Sequence, residues 1–115
     1  MQSLRLSPTT ARQLFWVTFI GTLLLKGVIA ATFPMTGDEA FFYQWGVYPA
    51  WGYSDHPPMV GWLLAALRVM GDSPLALRAF TVAVTSVIGL LIVDLLRRWL
   101  SDEHEGSAWL AGAVY

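Results

Sequence analysis

The chain has 115 residues, of which 56% are hydrophobic and 13% charged, the latter about half the ~25% of ordinary soluble proteins. A formal net charge of −1 leaves no basic footprint to neutralise phosphates, which excludes nucleic acid as a partner. With no cysteine, disulfides, thiolate metal centres and thiol nucleophiles are excluded too.

Residues 1–13 read as a cytoplasmic tail carrying Arg5 and Arg12. Residues 14–33 follow with a single charge, Lys26; as a helix they measure ~30 Å, the thickness of the hydrocarbon layer. Thr9 or Thr10 is the expected cap, and Pro34 the stop. A cleaved signal peptide is the competing reading, but the run is longer than a signal core of ~7–15 residues and Lys26 interrupts it. Residues 79–100 form a second span, uncharged as far as Val93, with Arg97, Arg98 and Trp99 suited to a headgroup interface. Lys and Arg flanking the pair place both ends in the cytoplasm and residues 34–78 outside.

Inside that outer loop, Thr36-Gly37-Asp38-Glu39 opens an aromatic segment expected to be a short helix along the membrane surface. Asp38, Phe41, Phe42 and Trp45 fall on one face of it, Glu39 and Tyr43 on another. Tyr53-Ser54-Asp55-His56-Pro57-Pro58 reads as a rigid loop, since a residue before proline is pushed to extended geometry. Residues 59–70 form an apolar helix too short to span, and Asp72-Ser73-Pro74 a turn. Residues 101–107 are a polar cytoplasmic turn, and 108–115 begin a third span. The expected fold is all-α: a polytopic membrane protein fragment with two transmembrane helices, an extracytoplasmic loop bearing juxtamembrane helices, and the start of a third span.

The charged residues admit a plain reading and a chemical one. Thr36 and Glu39 fit a capping box, Asp38 complements the helix dipole, and Asp55 or His56 can cap the helix that follows the prolines. Lys26 should face the interior and pair with something, and Asp94 should pair with Arg97 and Arg98. Against this, a loop of eight residues extends ~26 Å, long enough to return from the aromatic helix to its start, so Asp38 and Asp55-His56 can meet. Carboxylates beside an imidazole at the edge of hydrocarbon suggest a site for a polar head attached to a lipid.

Three segments carry a resemblance: Gly37-Asp38-Glu39-Ala40-Phe41-Phe42-Tyr43, then Tyr53-Ser54-Asp55-His56-Pro57-Pro58, then Leu75-Ala76-Leu77-Arg78. Their order after a first span resembles the start of bacterial membrane glycosyltransferases of the protein O-mannosyltransferase and lipid A aminoarabinose transferase group. The resemblance implies a GT-C type fold in the bacterial inner membrane, moving a sugar from a polyprenyl-phosphate donor to a lipid, protein or glycan acceptor with inversion. Asp38 matches the catalytic carboxylate, with Glu39 orienting the acceptor or holding its helix. Tyr43, Tyr53, Asp55, His56 and Arg78 would contact substrate. His56 stands where a phosphate-contacting Lys is found in the aminoarabinose transferases, and Asp55 where a Glu can touch a metal, so a divalent ion is possible and no cofactor is assigned. The chain itself is then an N-terminal, incomplete part of such an enzyme. The alternative is a small non-enzymatic membrane hairpin acting as an interaction or accessory subunit.

Overall fold

The structure, a computed structural model, describes residues 6–101 and 104–115. Arg5 of the expected tail and Asp102 and Glu103 of the expected polar turn lie outside the described residues. Every described element is helical: α1 (Pro8–Thr32), α2 (Gly37–Val47), α3 (Met59–Leu67) continued by a 3₁₀ turn (Arg68–Met70), α4 (Pro74–Trp99) and α5 (Glu105–Val114). Helices α1 and α4 are long and apolar enough to cross a membrane.

Both long helices begin earlier than hydropathy alone suggests, and for one reason. Ser7 Oγ accepts from Thr10 N at 3.1 Å, and Ser73 Oγ from Ala76 N at 3.2 Å. In each case the next residue is proline at the first helical position, where its missing N–H costs nothing and its φ is already helical. The cap of α1 is therefore Ser7, not Thr9 or Thr10. The expected turn at 72–74 is the entrance of α4, which places Arg78 one turn inside the helix.

The contacts divide the chain into two compact units, Met1–Lys26 with Val82–Tyr115, and Gly27–Thr81. In the first, Ala11 and Phe15 of α1, Val93 of α4 and Trp109 of α5 form the buried cluster. The Phe15 and Trp109 rings lie 5.4 Å apart. Gly112 makes that approach possible, since a Cβ there would strike Val93 and Phe15. At the rim Arg97 pairs with Glu105 at 3.3 Å and covers the Trp109 ring, while Arg98 takes Asp94 at 2.9 Å. The sequence pattern gave both arginines to Asp94; α5 supplies a second carboxylate and divides them. His104 is exposed and shares a contact with the Ser101 hydroxyl.

In the second unit α2 and α3 pack closely. A Cβ on Gly46 would lie 2.8 Å from Leu64 Cβ, so the helices meet where one has no side chain. The chain returns between them through Tyr53, whose ring stacks on Trp45 at 4.3 Å and covers Gly61. Its hydroxyl donates to Trp45 O and accepts from Ala50 N. Trp62 Nε1 donates to Ala50 O at 2.9 Å, and Arg68 Nη1 to Gly46 O at 3.3 Å. The end of α2, which would otherwise leave carbonyls unpaired, is thus closed by side chains from the loop and from the far end of the α3 segment.

Candidate functional site

The neighbouring acids at the start of α2 have opposite fates. Glu39 completes the capping box: Glu39 N donates to Thr36 Oγ1 at 3.3 Å, and Thr36 N to Glu39 Oε2 at 2.9 Å. The same carboxylate receives a fork from Arg78, Nε to Oε1 at 2.7 Å and Nη2 to Oε2 at 2.6 Å. The Arg78 guanidinium, followed by the Thr36 backbone N–H, lowers the Glu39 pKa from 4.5 to about 2, so it is ionised at any physiological pH. Asp38, one residue earlier, is exposed and makes no hydrogen bond or ion pair with any described residue.

Arg78 does more than neutralise Glu39. Its Nη1 donates to Phe33 O at 2.9 Å and to Ile29 O and Ala30 O at 3.3 Å, and its Nη2 to Pro34 O at 3.2 Å. These carbonyls belong to the last turn of α1 and the residues that leave it, the groups a helix C-terminus strands. A planar guanidinium has five N–H donors in a fixed fork, and here they are divided between a carboxylate and a helix end. The sequence pattern offers Arg78 only as a substrate contact and does not signal this role, because its partners lie 39 to 49 positions away.

The other expected site residues are arranged around α2. His56 is exposed and sets its ring edge against Phe42 at 5.5 Å and beside Trp45 at 5.4 Å. Asp38 lies one turn before Phe42 on that same helical face. The imidazole and the free carboxylate therefore share one face of α2, with no direct bond between them. Asp55 is exposed, and neither it nor His56 caps α3, whose N-cap residue is Pro58 with no side-chain cap bond. Tyr53 turns its hydroxyl into the backbone as described. Tyr43 lies under the Arg68 guanidinium, 5.3 Å from its ring centre, and Arg68 holds Asp72 at 2.7 Å, which depresses the Asp72 pKa.

Next to that face is a cavity of about 330 Å³ bounded by α2, α3 and the start of α4, and Phe42 lines it too. Its walls are largely apolar, Leu63, Leu64, Leu67 and Leu77 among them, with Glu39, Tyr43 and Arg78 as its polar margin. Asp38 and His56 do not line it. Among the described residues no three His, Asp or Glu side chains come together to hold a metal ion. Compared with protein-family models, with curated proteins and with solved structures, the chain finds no match.

Proposed function

We propose that this chain is the site-bearing membrane segment of an inverting glycosyltransferase, which takes a sugar from a polyprenyl-phosphate donor and delivers it to a lipid, protein or glycan acceptor. Asp38 is the general base. It takes the proton of the acceptor hydroxyl as that oxygen attacks the anomeric carbon. The bond from that carbon to the phosphate oxygen breaks, configuration inverts, and polyprenyl phosphate leaves as an already ionised group that needs little acid assistance. The observation that carries the reading is the division between the two acids. Glu39 is tied by five hydrogen bonds to Thr36 and Arg78, whereas Asp38 is exposed and unclaimed beside it.

His56 on the same face is suited to the donor phosphate, as an imidazole hydrogen bond to an anion, with exposed Asp55 next to it. Arg78, Glu39, Tyr43 and Tyr53 act at this site as positioning residues, because their polar groups hold the helices that present Asp38 and His56. The protein sits in the bacterial inner membrane with residues 34–78 outside. The accessory-hairpin reading is favoured by one observation, that Asp38 in the first turn of α2 already complements the helix dipole without any chemistry.

Substitution separates the two readings. In the intact membrane protein, supplied with radiolabelled polyprenyl-phosphate mannose and aminoarabinose, Asp38→Asn lowers transfer by ~10²–10⁴-fold, the range for a lost acid–base group. Transfer at the unchanged rate in a normally inserted Asp38→Asn protein refutes the general base. Orientation is read with single cysteines at Ser54→Cys and Ser101→Cys in this cysteine-free chain. An impermeant thiol reagent applied outside labels only the first; the reverse pattern overturns the topology.

A further inference from the structure

We propose that the face of α1 and α4 bearing Lys26 is an assembly surface for a further transmembrane helix that carries a carboxylate at the depth of Lys26. The inference rests on α1 and α4 crossing the membrane. Lys26 stands six residues before the end of α1, ~9 Å along the axis, within a segment that is otherwise uncharged. An ammonium there is stable only when it is paired or reaches water.

Its described partner is one neutral hydroxyl, Thr85 Oγ1 of α4 at 3.2 Å, which turns the ammonium sideways toward α4 rather than along α1 to the interface. The described carboxylates of the same unit are engaged elsewhere, Asp94 with Arg98 and Glu105 with Arg97. The charge is therefore uncompensated by the described residues of its unit.

The surroundings fit a helix better than a lipid headgroup. Thr18, Thr22 and Lys26 recur every four residues along α1 and so form one stripe. Ser86 and Gly89 border it on α4, and a shallow cleft of about 50 Å³ runs between them, closed at one side by Gly112 and Ala113 of α5 and by Tyr115. Thr18 and Ser86 return their hydroxyl protons to their own helices, to Leu14 O and Val82 O, so the stripe carries no negative charge. Interfaces between membrane helices favour such small and hydroxyl-bearing residues, because backbones approach closely and polar side chains bond across. A carboxylate at this depth supplies the one feature the stripe lacks.

The test uses the whole chain with a donor dye on Ser101→Cys in phosphatidylcholine vesicles. Its partner is an acceptor-labelled single-span Leu/Ala peptide bearing one Glu six residues from its end, compared with the same peptide bearing Leu. Energy transfer should report association with the Glu peptide ~10-fold stronger than with the Leu peptide, within the range for a polar contact between membrane helices. Lys26→Met should abolish the difference and Lys26→Arg retain it. Equal association of the two peptides, or a Glu preference that survives Lys26→Met, overturns the proposal; equal association is also the outcome if Lys26 reaches lipid phosphate instead. Release of the unmodified chain from vesicles by alkaline carbonate overturns the membrane reading itself, and is scored independently of peptide association.

Discussion

Replacing Arg78 by methionine removes a single side chain that closes two helix ends. The fork to Glu39 joins a guanidinium 17% exposed to a carboxylate 38% exposed. Water can rehydrate the abandoned carboxylate, so this loss is ~1 kcal/mol, as for a partly screened pair. The carbonyls of Ile29, Ala30, Phe33 and Pro34 lose a charged donor together; with water available to some of them, that adds ~1–2 kcal/mol. A total of ~2–3 kcal/mol corresponds to opening roughly 30- to 140-fold more often, at 1.4 kcal/mol per tenfold. The effect is local, because regions of a fold open with different free energies. Amide hydrogen exchange of the detergent-solubilised protein is the assay. The Phe33 amide, which donates to Ile29 O, and the Ala40 amide, which donates to Thr36 O, should lose protection by that factor, while amides around Trp109 should not change. Arg78→Lys should recover only part of it, since an ammonium lacks the planar fork. Unchanged exchange at both Phe33 and Ala40 in Arg78→Met would refute the assignment of Arg78 as their common cap.

Two further outcomes follow from the same lobe. The Glu39 pKa in the folded protein, about 2, lies below its ordinary 4.5, so protonation opposes the fold: its contribution is complete above about pH 4.5 and lost as pH falls toward 2. Protection at Ala40 should accordingly be flat from pH 7 to 5 after correction for intrinsic exchange and decline below that, and a loss centred near pH 6 would exclude Glu39 as its source. Gly46→Ala introduces a Cβ 2.8 Å from Leu64 Cβ and 3.1 Å from Leu64 backbone carbon, a clash that no rotamer relieves. It should destabilise the lobe by ~1–2 kcal/mol despite alanine's better helix propensity, whereas Gly37→Ala, with open space around it, should be neutral in thermal unfolding followed by circular dichroism.

The elements were legible because their signals are local. Hydropathy locates both long helices, Thr36-x-x-Glu39 announces α2, and the run after Pro58 announces α3. Their starts were misplaced by five or six residues because an apolar window does not register Ser7-Pro8 and Ser73-Pro74, although both dipeptides are cap signals in their own right. The site was legible as a set of residue types and not as a set of roles. Two adjacent acids read alike in sequence. What distinguishes them is Arg78, whose side chain arrives from another helix and selects Glu39. Tyr53 is similar: nothing in a line of letters indicates that its hydroxyl is needed to close α2, because that depends on where the loop returns. Helical spacing offers Asp94 to Arg97, but Glu105 on α5 takes the arginine instead.

The reliance of two helix ends on Arg78 also orders events during synthesis. The arginine is made 39 residues after Glu39 and 44 residues after Pro34, roughly 2–8 s later at ~5–20 residues per second. Until α4 emerges from the ribosome, the last carbonyls of α1 and the Glu39 carboxylate have only water to satisfy them. The lobe of residues 27–81 therefore reaches its final form late, once the second long helix has been made.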